Sequence, residues 1–316
     1  MKKLCTLFAL VLLLTCIPMA GCTPEPEPNP ATDFEYEVNE DGGITIKKYI
    51  GEAADVVIPA QIEGKDVTII QENAFRSRSE LRSVVVPNTV VEISHSAFSD
   101  CGNLESITLS DNLVTIGVGT FQNCTALSEI TLPKSLTSIG HHAFDTCNAL
   151  KSIVIPGSVI LGEATFMHSG LEQVTLEEGI ETIPLETFAG TSIKELVMPS
   201  SVKTIENAAF SACEKLTRIE FNEGLLKIGH FVISGSPELT EITIPSTVTE
   251  VCKFSFISCD KLKTIKFEGG APDAYLCESV LNETHGSKAP SVTIYYHQDA
   301  EGFTSPEWNG YPTEIW

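Results

Sequence analysis

A phenylalanine returns along this chain at nearly constant spacing: Phe75, Phe98, Phe121, Phe144, Phe166, Phe188, Phe210, then Ile233 in the same place, then Phe256. Successive gaps are 22 or 23 residues, which makes nine units. Neither the helix period nor the two-residue strand period generates such spacing by itself. A period of this length is too short for paired-helix repeats. It suits a solenoid in which each coil holds one strand and one return segment, so that every phenylalanine lies over the one before it.

The unit is clearest in Ser138 to Val159 (SIGHHAFDTCNALKSIVIPGSV), of which altered copies fill most of 67–272. Each copy carries an apolar strand pattern, as in Leu104, Ile107 and Leu109, Leu127, Ile130 and Leu132, or Leu216, Ile219 and Phe221. Proline follows the strand at Pro87, Pro133, Pro156, Pro199 and Pro245, where its missing N–H ends the ladder. Apolar residues such as Leu113, Ile116 and Phe121 carry the return segment beneath. The slot two residues after that proline holds Thr89, Ser135, Ser158, Ser201 or Thr247.

These residues resemble the BspA-like leucine-rich repeat family, whose signature is seen in Ile155-Pro156, Ser158-Val159, Ile139-Gly140, Ala143-Phe144 and Cys147. The resemblance covers about two thirds of the chain. It implies a right-handed leucine-rich-repeat solenoid rich in short β-strands, of the α/β horseshoe class, with a parallel β-helix as the alternative. It also implies a cell-surface or secreted bacterial protein that binds other proteins or surfaces, with no enzymatic activity and no named partner.

The ends read differently from the repeats. Lys2 and Lys3, the apolar run Leu4 to Ile17 and the small residues before Cys22 resemble a bacterial lipoprotein signal, with cleavage after residue 21 and a lipid anchor on Cys22. An uncleaved anchor helix is the alternative, but the run falls short of the ~20 residues that span a bilayer. Residues 22–33 are a Pro/Glu-rich tether. Glu25 and Glu27 loosely resemble the export signal of Bacteroides surface lipoproteins, which implies an outer-membrane lipoprotein at the cell surface, with the periplasmic face as the alternative. Within 34–66, Phe34, Tyr36 and Val38, the turn Glu40 to Gly43, then Ile44 and Ile46 predict a β-hairpin that caps the first coil. The repeats occupy 67–272. A loop and cap fill 273–316, where Phe303, Trp308, Tyr311 and Trp316 cluster.

No nucleophile, base and orienting partner recur together, so no enzyme, cofactor or metal is expected. Cys101, Cys124, Cys147, Cys213 and Cys259 each stand three residues after the phenylalanine slot, which predicts burial in the core. Cys252 with Cys277 is the one disulfide candidate. His95, His141 and His230 share a slot but are never in consecutive coils, and His141-His142 reads as a solvated turn. The 42 acids against 20 bases disfavour nucleic acid and anionic lipid surfaces as partners.

What remains for binding is the outward side of the strands, the expected concave face. Its candidate residues are Glu129, Thr131, Ser152, Gln173, Thr175, Glu195, Arg218, Glu220, Glu241 and Thr243. The face holds no aromatic residue, which argues against a generic glycan groove there. A second candidate is an aromatic patch of Trp308, Tyr311 and Trp316, whose bland reading is a terminal cap. The partner is expected to be an unidentified protein or surface ligand, and the chain itself a monomer.

Overall fold

The computed structural model describes residues 26–272 and 292–316. The leader with Cys22, and the segment 273–291 with Cys277, lie outside the described residues. The chain winds into a β-solenoid of about 11 turns, two more than the phenylalanine count. The extra turns come from both ends. Tyr49 takes the phenylalanine place one coil before Phe75, and strands at Thr293–Tyr296 and Tyr311–Ile315 extend the stack beyond Phe267.

Two parallel ladders run along the solenoid. The long one stacks the apolar-patterned strands, among them Ser83–Val85, Ser106–Thr108, Ser152–Ile155, Gln173–Leu176, Glu195–Val197, Arg218–Glu220, Glu241–Ile244 and Thr264–Phe267. Register follows the repeat, so Ile153 pairs with Val174 and Leu196 with Ile219. Alternation does the rest: Ile107 and Leu109 point inward and are buried, while Ser106 and Thr108 face solvent. The short ladder stacks Lys65–Ile70 and two-residue strands such as Glu92–Ile93, Thr115–Ile116, Ser138–Ile139 and Ile160–Leu161.

The third side of each coil is a turn. It contains two residues of positive φ, four positions apart, on either side of the core ring: Asn73 and Ser77, Ser96 and Asp100, His142 and Thr146, Ala208 and Ala212. A left-handed residue costs roughly 1–2 kcal/mol when it is not glycine. The cost is offset between coils. The N–H groups of Asn73, Phe75 and Ser77 donate to the carbonyls of His95, Ala97 and Ser99 at 3.1, 2.7 and 2.9 Å, and the pattern recurs up the stack. These paired left-handed residues exclude an α-helix. The return side accordingly contains none among the described residues, and the solenoid lies at the all-β end of the expected class.

The core is a column of rings. Tyr49, Phe75, Phe98, Phe121, Phe144, Phe166, Phe188 and Phe210 stack with centroids 4.8 to 5.6 Å apart and planes within 19°. Each such contact contributes ~0.5–1.5 kcal/mol beyond area burial. Glycine recurs where coils touch most closely. A Cβ on Gly140 would stand 2.4 Å from the backbone nitrogen of Val118. Hydroxyls after the strand prolines bind the preceding coil: Ser135, Ser158, Ser201 and Thr247 donate to the carbonyls of Leu113, Leu136, Ile180 and Leu225 at 2.7 to 2.9 Å.

Both ends are closed by antiparallel pairs. Phe34–Val38 pairs with Ile44–Tyr49, and Glu307–Trp308 with Tyr311–Ile315. The tether ends sooner than its composition implied, because Asn29 docks on the first coil. Its N–H donates to the Val57 carbonyl and its side-chain oxygen accepts the Val57 N–H, both at 2.9 Å. The ring column predicts that Phe144→Ala, in mid-stack, lowers unfolding free energy by about 3–5 kcal/mol through the cavity left behind. Urea denaturation followed by circular dichroism measures it.

Candidate functional site

The ten strand residues chosen from the sequence all lie on the outward side of the long ladder. Eight are exposed, and Glu220 and Thr243 are half-buried. Ser152 sits beside Gln173 and Glu195 beside Arg218 in adjacent rungs. Arg218 is engaged by Glu220 within its own strand, and Glu241 by Lys266 from the next rung at 3.6 Å.

The long ladder is interrupted rather than continuous. After Ser106 meets Glu129 through a single bridge, the next rung makes no strand pairing until Ser152–Ile155 joins Gln173–Leu176. A groove of about 530 Å³ lies at this interruption, lined by Thr131, Lys134, Ser152, Val154, Gln173 and Thr175. Four of the ten sequence-chosen residues thus converge. Val154, 53% exposed, supplies an apolar centre among them.

The aromatic patch does not form as a unit. Trp308 is buried, its indole N–H donates to the Gly302 carbonyl at 3.1 Å, and its ring packs on Phe267 and Phe303. It covers the open apolar end of the last coil, so its face is unavailable to a ligand. Tyr311 is half-buried against the same core. Trp316 alone is exposed, stacked on His297 with Lys266 over its ring at 5.5 Å.

The cysteine column has a structural role. The thiols of Cys101, Cys124, Cys147, Cys213 and Cys259 donate to the carbonyl of the ring-slot residue one coil earlier, at 3.0 to 3.4 Å. Burial pushes the Cys101 and Cys259 thiols up to about 12 and Cys213 to about 11. Such thiols are poor nucleophiles and poor metal ligands. The histidines differ from the sequence reading in one respect. His142 is half-buried rather than in a solvated turn, and together with His168 of the next coil it flanks buried Asp145, at 3.4 and 3.7 Å. Asp145 also accepts from Gln122 and Thr146. Sequence spacing could not reveal this group, because its members belong to three coils.

The match of a family model to this arrangement of coils decides what the chain is. The model for the BspA type leucine rich repeat region fits six copies over residues 56–172 and 159–273. The chain belongs to the BspA-type leucine-rich repeat family. No curated protein matches it. Among solved structures, a leucine-rich repeat protein from Bacteroides ovatus is 29% identical with a TM-score of 0.71, covering 84% of this chain and 70% of its own. The T. pallidum leucine rich repeat protein is 26% identical with a TM-score of 0.51, covering 75% and 91%. A leucine rich cell surface protein from Faecalibacterium prausnitzii, 22% identical with a TM-score of 0.52 over 92% and 99%, shares the fold.

The buried thiols predict an alkaline signature. The native state holds the Cys101 and Cys259 protons to about 12, whereas the unfolded chain releases them near 9.0, so this contribution is complete below pH 9.0 and is lost as pH rises toward 12. Relative to Cys101→Ala/Cys259→Ala, the parent chain should show a steeper fall of its denaturation midpoint over that window. A thiol reagent should label these residues only on unfolding.

Proposed function

We propose that this chain is a non-enzymatic protein-binding module, held at the bacterial cell surface by a lipid on Cys22 and recognising its partner through the outward face of the long ladder. The observation that carries this reading is the groove at Thr131, Ser152, Gln173 and Thr175, where exposed polar side chains surround Val154. Family membership supports a binding role. The surface location rests on the leader ending at Cys22, and one protein of the same fold is itself named a cell surface protein.

The face is polar, acidic and free of aromatic rings, so recognition there depends on hydrogen bonds and shape rather than on ring stacking. A glycan reading through the terminal aromatics loses Trp308 to the core and retains only Trp316 as an exposed ring. A pull-down from surface extracts run beside a glycan array, with the chain lacking residues 1–22, separates the two. Protein capture abolished by Val154→Glu/Gln173→Lys is expected. Glycan binding abolished by Trp316→Ala would favour the other reading.

The anchor is tested independently. Cys22→Ser should prevent incorporation of radiolabelled fatty acid and move the chain from the membrane to the soluble fraction.

A further inference from the structure

We propose that a break in the short ladder beside Pro184 is a docking groove for an extended, cationic protein segment, distinct from the long-ladder face. Elsewhere two backbone hydrogen bonds tie each rung to the last. Ile160 and Gly162 donate to Thr137 and Ile139, both at 2.8 Å, and Lys203 and Glu206 donate to Glu181 and Ile183 at 2.8 and 2.9 Å. Between these rungs the pairing stops: Ile160–Leu161 pairs only with Ser138–Ile139, and Thr182–Ile183 only with Thr204–Ile205. Pro184 is the physical cause. It occupies the place of Gly162 one coil later and has no N–H to give.

The carbonyls of Val159 and Leu161, the counterparts of Thr137 and Ile139, therefore receive no such donor from the next coil. A groove of about 470 Å³ lies over the break. Ile160, in its wall, is 75% exposed, more than any other large apolar side chain among the described residues. Glu163, Glu181 and Glu206 also line the groove. Their present partners leave acceptor capacity: Glu163 lies 3.6 Å from His141, Glu181 takes Lys203 at 3.0 Å, and Glu206 accepts the Leu185 N–H at 3.0 Å.

Three features select the occupant. Backbone carbonyls call for N–H donors, carboxylates call for lysine or arginine, and Ile160 calls for an apolar side chain. A strand that alternates basic and apolar residues offers all three, because its side chains point to opposite faces in turn. A second copy of this chain, with net charge −22, is repelled.

The test is fluorescence anisotropy of a labelled alternating lysine–valine peptide titrated with the full chain, beside serine–valine and glutamate–valine peptides. Saturable binding of the lysine–valine peptide is expected, weakened about tenfold by Ile160→Thr, as loss of one buried aliphatic contact requires. Glu163→Gln/Glu181→Gln should weaken it similarly and flatten its salt dependence. Pro184→Gly, which restores the donor and closes the ladder, should abolish it. Leu226→Thr, an exposed residue of the same column in an intact rung, should leave it unchanged. The proposal is overturned if the serine–valine or glutamate–valine peptide binds as tightly, if Leu226→Thr weakens binding as much as Ile160→Thr, or if the groove is closed by self-association of the chain. Ile160→Thr alters only an exposed side chain, so it decides the matter even if Pro184→Gly does not fold.

Discussion

Each ring of the core column has its two faces covered by the rings of the coils above and below it, and the rest of the solenoid follows from that dependence. A single coil has two open faces of phenylalanine and cannot hide either one. Consecutive coils must therefore bring their rings to the same angular place about 5 Å apart, which sets the repeat at 22 or 23 residues. Where Ile233 replaces the ring, the coil is still filled with an aliphatic side chain of the same burial. At the first coil Tyr49 supplies the ring and ties its hydroxyl to Ala53, so that the polar end of the column's first member is satisfied. At the far end Phe267, Phe303 and Trp308 pack edge-on and tilted against one another beside the last strands.

The column also explains why so much suggestive chemistry proves structural. Cysteines at a fixed distance from the ring lie beside the carbonyl of the preceding ring residue. Hydroxyls after the strand proline do the same for another carbonyl, and glycine marks the closest contact between turns. Each of these groups satisfies or makes room for backbone of the adjacent coil. The groups not used in this way are the outward side chains and those at the interruptions of the ladders, where backbone and apolar groups meet solvent together. The two grooves both lie at such interruptions.

Much of this was legible in the residues. The ring slots, the buried cysteines and the outward positions of the strands all follow from spacing, since they repeat with the coil, and the N-terminal hairpin follows from its two-residue alternation about a turn. Elements with neither a repeating nor a local signal were not legible. Tyr49 stands out of phase with the phenylalanines, and Asn29 docks from a stretch whose composition reads as tether. Trp308 carries no pattern that distinguishes a cap from a platform.

The sequence by itself therefore determined the architecture, because a periodic apolar pattern has one economical way to be buried: coil upon coil with like residues stacked. Only the tertiary structure decided how the coils turn and where they part. The left-handed turn residues include serine, alanine, threonine and histidine, types with no shared local preference for that conformation. They adopt it because the next coil accepts their hydrogen bonds. Likewise Pro184 is one proline among many in the sequence, and it becomes a break only because the coil before it presents a carbonyl, that of Leu161, that its missing N–H cannot meet.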